Sequence, residues 1–194
     1  MELYVLARHG ESTLNSENRI NGDPSVPVAL TENGREEALS LGRQVAHIRL
    51  DLCICTRFSR TRETAEIALE GRKVPIEVEP LLDDIDVGDL EGDTIQDFRA
   101  WKAEHTRADR FPGGESLVET ARRYAAAFRK LLERETPEVV LVVTHEIPIR
   151  YALNAACGSD DLDGPMHEIR NATPYLFDDP SLRRAAERIE QLAG

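Results

Sequence analysis

The chain has 194 residues, 41% hydrophobic and 31% charged, which suits one globular domain spanning residues 1–194 and is too short for two comfortable ones. A formal net charge of −12 argues against a general nucleic-acid binder, which needs a basic face for phosphates. No stretch is long and apolar enough to span a membrane, no basic, apolar and small-residue leader opens the chain, and Cys53, Cys55 and Cys157 lack a disulfide-framework spacing, so a reducing, cytoplasmic setting is expected.

In chain order, Leu3 to Ala7 is an unbroken apolar run that reads as a strand buried on both faces, and it stops at Arg8-His9-Gly10. Glu11 to Ala29 is polar and punctuated by Asn, Gly, Asp and Pro, which predicts a loop. Thr31 is a plausible cap for a helix whose apolar positions are Ala38, Leu41, Val45 and Ile48. Leu52 to Cys55 reads as a second strand, in which Cys53 and Cys55 are core packing rather than metal ligands, because no second pair completes a zinc site. Ser59 is placed as the cap of a helix from Arg60 to about Leu69, and Val74 to Leu82 as a short strand with its connection.

The second half repeats the alternation. Asp83 to Asp93 is an acidic, turn-rich loop in which Asp83, Asp86, Asp89 and Asp93 read as solvated charges, and a helix carrying Phe98 and Trp101 begins near Thr94. Phe111 to Glu115 breaks the chain before the capping box Ser116-Leu117-Val118-Glu119, which opens a helix to about Glu133. Val139 to Val143 is the clearest strand and ends at Thr144-His145. A helix over Ile149 to Ala156 follows, with Pro148 in its first turn, then an edge strand within Asn171 to Phe177 and a closing helix over Ser181 to Leu192. The expected fold is α/β: a three-layer sandwich with a mostly parallel central sheet flanked by helices.

Two apolar strands thus deliver a histidine each, His9 and His145, at their carboxyl ends, where ligands bind in open α/β sheets. If the strands are parallel neighbours, the imidazoles converge. His9 has Arg8 beside it, and Arg57, Arg60 and Arg62 lie at the end of the second strand. Histidine can act as a nucleophile, and arginine is shaped to hold phosphoryl oxygens. His47, His105 and His167 lack such company and read as packed or surface residues, while Arg57 and Arg62 read as solvated or ion-paired.

The ordered motifs Arg8-His9-Gly10-Glu11-Ser12 with Asn15, Leu30-Thr31 with Gly34, Arg60 to Ala65, Asp84-Ile85-Asp86 with Gly88 and Glu91-Gly92, Pro112 to Ser116, and Val143-Thr144-His145 cover nearly the whole chain. In that order the chain resembles the histidine phosphatase superfamily, also called phosphoglycerate-mutase-like. The resemblance implies that His9 is the nucleophile, that Arg8, Asn15, Arg60 and His145 bind phosphate, and that Asp84 stands where the family places its general acid, usually a glutamate and sometimes an aspartate. It implies no metal and no cofactor. The family usually has glycine after the second histidine. Here Glu146 follows, and it is expected to shape leaving-group preference. A metal-independent phosphomonoesterase acting on a small phosphorylated metabolite is the first reading. A phosphoglycerate mutase is the second, although only two helices are predicted between Glu91 and Val139, where mutases carry a long insertion. A catalytically silent phospho-ligand binding module is the third.

Overall fold

The apolar run at the N-terminus forms β1 (Leu3–Arg8), whose four central residues are buried. Its side chains divide by the two-residue strand period: Tyr4 and Leu6 enter one core cluster, Val5 and Ala7 another. The computed structural model describes residues 2–134, 139–164 and 168–194. After β1 come a short helix α1 (Thr13–Ser16), α2 (Glu32–Gln44), β2 (Leu52–Cys55), α3 (Ser59–Ala68) and β3 (Ile76–Val78). Then follow α4 (Ile95–Glu104), α5 (Leu117–Leu132), β4 (Val139–Thr144), α6 (Glu146–Ala156), β5 (Pro174–Asp178) and α7 (Asp179–Leu192).

The strands form one sheet in the order β3-β2-β4-β1-β5, parallel except for β5, which pairs antiparallel with β1. Helices α5, α6 and α7 supply the core on one face, where Tyr124, Phe128, Ile149, Tyr151 and Leu182 meet Tyr4, Leu6, Val140 and Val142. On the other face Leu41, Ala65 and Ala68 of α2 and α3 cover Val5, Cys53, Cys55, Leu141 and Val143. This is the expected three-layer α/β sandwich. The two cysteines of β2 are buried packing residues, and Cys157 is exposed. A third, smaller cluster of Ile20, Ile85, Val87, Phe111 and Leu117, with Phe98 and Trp101 against it, lies among the connecting segments rather than under the sheet.

Several boundaries differ from expectation for local reasons. The Glu11 to Ala29 connection contains α1, whose N-cap Ser12 forms a capping box with Asn15. Ser59 is the first residue of α3 rather than its cap. The N-cap is Phe58, and the Ser59 hydroxyl instead donates to Val28 O (2.8 Å) and accepts from Val28 N (3.0 Å), pinning the loop before α2. Helix α6 starts at Glu146, three residues early, keeping Pro148 in the first turn where its missing N–H costs nothing. Strand β5 starts at Pro174 because Ala172, with φ of 45°, turns the chain first, and α7 starts at Asp179, capped by Asp178. His167 lies outside the described residues.

The turn after β1 is fixed by a close approach. A Cβ on Gly34 would stand 2.0 Å from Glu11 O, and one on Gly10 would stand 2.2 Å from Gly34 O, so the first turn of α2 rests directly on the backbone that follows β1. Gly34→Ala is expected to destabilise by about 2 kcal/mol or more, because backbone atoms have to move apart. Glu36→Ala, at an exposed position of the same helix, should stay within about 0.5 kcal/mol. Chemical denaturation midpoints of the two variants check this, and equal shifts would contradict it.

Candidate active site

Because β1 and β4 are parallel neighbours in register, with Arg8 opposite Thr144, the residues after each strand emerge side by side. His9 N donates to Thr144 O at 2.9 Å, and the His9 and His145 rings approach edge to face with centroids 5.4 Å apart. Both rings are buried. The convergence expected of the two histidines is therefore present, and it follows from strand adjacency alone.

Arg60, in the first turn of α3 and only 3% exposed, joins everything at this edge. Its Nε donates to His9 Nε2 (3.0 Å), and its Nη2 donates to His145 Nδ1, Asp84 Oδ2 and Asn21 O, each at 3.1 Å. Its Nη1 donates to Asn21 Oδ1. These contacts assign the tautomers. His9 Nε2 accepts, so its proton is on Nδ1, 2.7 Å from the Gly10 carbonyl that accepts it. His145 Nδ1 also accepts, so Nε2 carries the proton and donates to Thr56 Oγ1 (3.0 Å). Thr56 donates on to Thr61 Oγ1 (2.9 Å), which donates to Phe58 O (2.8 Å).

The electrostatics agree with neutral imidazoles. Burial, and then the positive charges of Arg60 and Arg8, hold His9 well below the usual histidine range, although the Gly10 hydrogen bond pulls the other way. His145 is lowered by burial and Arg60. Asp84, half-buried on the cavity wall, is pushed above the usual carboxylate range by burial, which outweighs the opposing pull of Arg60 and of the Ile85 N–H. Thus the arginines favour an ionised Asp84, but desolvation prevails.

The acid-bearing segment is held mainly through its backbone. Arg123 on α5 donates to the carbonyls of Leu81 (3.0 Å), Asp83 (2.8 Å) and Asp84 (3.2 Å) and is ion-paired with Glu115. Tyr124 OH also donates to Asp83 O (3.0 Å), and Glu115 Oε1 accepts from Asp86 N (3.1 Å). Asp83 corrects the reading of this loop as solvated charge. It is 4% exposed, and its carboxylate pairs with Arg57 Nε at 2.5 Å and accepts from Arg57 N at 2.9 Å. Arg57 is therefore ion-paired, as is Arg62 with Glu66 (3.0 Å), while Asp86 and Asp89 are exposed.

Arg8 is held from its Nη1, which donates to Ile169 O (3.0 Å) and pairs with Glu146 Oε2 (3.1 Å). Its Nε is buried without a hydrogen-bond partner among the described residues. Glu146 also pairs with Arg150, so the carboxylate next to His145 is flanked by two guanidinium groups. Arg8, His9, Asn15, Arg60 and Asp84 line one cavity of about 590 Å³, while His145 stands behind Arg60. Asn15 reaches this wall from α1, with its Oδ1 accepting from Ser12 N (3.2 Å). Among the described residues, Arg8, Arg19, Arg60, Arg99, Lys102 and Arg150 line the cavity against three carboxylates, so its local sign is positive although the chain is acidic. Phe98 forms part of the wall, whereas Trp101 stacks on Phe111 (4.0 Å) and carries His105 on its outer face.

Two contributors, Asn21 and Thr56, lay outside the sequence reading, and Glu91 entered it only as a motif position without a role. Asn21 takes two Arg60 donors, and Glu91 holds the Asn21 loop by accepting from Asn21 Nδ2 (2.7 Å), Gly22 N (2.6 Å) and Asp23 N (3.0 Å). Thr56 orients His145. The only sequence signal for Asn21 is its place in an Asn-Gly-Asp run, which reads as turn punctuation.

The family model described as histidine phosphatase superfamily (branch 1) matches residues 4–188. A curated relative from Salmonella choleraesuis, named "Probable phosphoglycerate mutase GpmB", is 31% identical over 165 residues, 81% of this chain and 75% of the relative. Among solved structures, Bacillus stearothermophilus YhfR superposes with a TM-score of 0.80 at 28% identity, covering 92% of this chain and 91% of that one. The alpha-ribazole phosphatase of Shigella flexneri shares the fold, with a TM-score of 0.79 at 23% identity and coverage of 91% and 90%. With paired strand ends, a buried arginine between two neutral histidines and this match over nearly its whole length, the chain belongs to the histidine phosphatase superfamily.

Proposed function

We propose that this protein is a metal-independent phosphomonoesterase that hydrolyses a small phosphorylated metabolite through a phosphohistidine on His9. The state of His9 carries the reading. Its proton is anchored on Nδ1 by Gly10 O, and its Nε2 lone pair faces the cavity's arginine cluster, so a nucleophile stands where an oxyanion is attracted.

In the first step Arg60 Nε turns its hydrogen bond from His9 Nε2 to a phosphoryl oxygen, the freed Nε2 lone pair attacks phosphorus, the ester P–O bond breaks, and Asp84 gives its carboxyl proton to the leaving oxygen. In the second, Asp84 takes a proton from water, whose oxygen attacks phosphorus, and the P–N bond breaks to release phosphate and neutral His9. Arg8 and Arg60, both on the cavity wall, stabilise the negative charge spread over the phosphoryl oxygens. Asn15 adds a polar contact from α1. The Thr56 hydroxyl both donates and accepts, so it suits either tautomer of His145 as the phosphoryl group arrives. The paired guanidinium groups beside His9 repel a cation, which favours a route without a metal.

The mutase reading draws support from the relative named phosphoglycerate mutase. Against it, α4 and α5 are the only α-helices among the described residues between Glu91 and β4. Interconversion of phosphoglycerates without release of phosphate, primed by a bisphosphate, would replace hydrolysis as the conclusion.

With p-nitrophenyl phosphate in EDTA, wild type should turn over and His9→Ala should lose roughly 10³-fold or more. An alkaline denaturing quench, in which the P–N bond survives, should trap phosphate on wild type but not on the variant; retained turnover in His9→Ala would remove the phosphohistidine route. The reactive form needs neutral His9 and protonated Asp84. His9 is lowered and so stays neutral through mild acid, while raised Asp84 ionises as pH climbs. Activity on alkyl phosphates should therefore be highest on the acid side of neutrality and fall with rising pH. Asp84→Asn should lower kcat on alkyl phosphates by about 10²-fold or more and on p-nitrophenyl phosphate by less, since that leaving group needs little protonation. An unchanged pH profile in Asp84→Asn would show that another group is the acid.

A further inference from the structure

Glu146 is the first residue of α6, directly after His145, and its side chain is 38% exposed on the cavity wall. Both of its oxygens are occupied by arginines, Oε2 by Arg8 Nη1 at 3.1 Å and Oε1 by Arg150 Nη2, so the side chain is held in place. The Arg8 guanidinium is contacted by Glu146 and by Ile169 O through Nη1 alone; its Nε is buried, and its Nη2 carries no polar contact among the described residues, so Arg8 keeps an open edge on the cavity wall. An oxyanion can therefore engage Arg8 without displacing Glu146. With a phosphoryl group bound to Arg8, the carboxylate stays paired to the same guanidinium on the cavity wall.

Each carboxylate oxygen has a second lone pair after its arginine contact, enough to accept from a hydroxyl or an ammonium. A carboxylate arriving at the same place meets a like charge in a partly desolvated cavity. The influence of Glu146 reaches the acid as well: its negative charge is one of the causes that raise Asp84.

Resting on the phosphomonoesterase reading, we propose that Glu146 is a specificity-determining residue. It selects phosphomonoesters whose leaving group carries a hydroxyl or ammonium next to the ester-bearing carbon, and it rejects those that carry a carboxylate there. Of the other cavity cations, Arg150 is paired with Glu146 itself and Lys102 faces Asp163 at 3.6 Å, while Arg19 and Arg99 stand on other elements, the loop after α1 and α4.

The test is a two-carbon series differing at one group: O-phosphoethanolamine, 2-hydroxyethyl phosphate and phosphoglycolate, each measured as kcat/KM with wild type, Glu146→Gln and Glu146→Ala. Dividing each variant's ratio between substrates by that of wild type cancels changes common to all three esters, such as a shift in Asp84 or in Arg8. Wild type should prefer the ammonium and hydroxyl esters over phosphoglycolate by about tenfold or more. Both variants should compress that ratio by about tenfold, mainly through KM. Ratios unchanged in both variants, or a wild-type preference for phosphoglycolate, would overturn the proposal. Turnover of p-nitrophenyl phosphate by the same preparations separates the two levels. If it persists while the ratios stay fixed, only the Glu146 assignment fails. If wild type hydrolyses no ester at all, the phosphomonoesterase reading fails and this inference with it.

Discussion

A guanidinium group taken out of water has to be met on every side, and Arg60 is the point at which this chain meets that requirement. Its donors reach His9, His145, Asp84 and both polar atoms of Asn21, drawn from β1, β4, the acid loop and the loop after α1. The cost of burying the charge is thereby turned into geometric definition. Each acceptor is placed relative to the same rigid planar fork, so two histidines contributed by separate strands share one reference. The same charge contributes to keeping both imidazoles neutral.

Around this centre, loops are fastened by their backbone rather than by packing. Arg123 collects three carbonyls of the acid segment, and Glu91 collects two backbone N–H groups and an amide of the Asn21 loop. One cation gathers acceptors and one anion gathers donors, each next to one of the Arg60 partners. Loops with few apolar residues are not held by hydrophobic burial alone, so charge-assisted hydrogen bonds to the main chain add to it. The small cluster of Ile20, Ile85, Val87, Phe111 and Leu117 supports both loops from beneath.

The strands were legible because an apolar run without polar interruption has to be covered on both faces, and β1, β2 and β4 all fall where such runs do. His9 and His145 followed from their places at strand ends, and Arg8, Asn15, Arg60 and Asp84 from family resemblance. What escaped the sequence depends on partners distant along it. Asp83 resembles any acidic loop residue until Arg57, 26 positions away, is folded onto it. Asn21 looks like a turn residue because its purpose is a guanidinium 39 positions on. Ser59 has the chemistry of a cap, but its hydroxyl is taken by Val28, and no local rule foretells that competition. The boundaries of α6, β5 and α7 moved by a few residues because more than one residue near each end was able to start the element, and local features, namely proline's tolerance of a first helical turn, the turn at Ala172 and the Asp178 cap, chose among them.

The place of β1 in the sheet has a consequence for synthesis. Its two neighbours are β4 and β5, both encoded far downstream, at Val139–Thr144 and Pro174–Asp178. As the chain leaves the ribosome, the strand that carries His9 emerges before either of its hydrogen-bonding partners and remains an unpaired apolar segment until most of the protein has been made. The pairings that assemble the reactive edge are thus among the least local in the chain, and such contacts form slowly. An incomplete chain ending before β4 would contain His9, Arg8 and Arg60 but neither His145 nor the strand that joins β1 to β2.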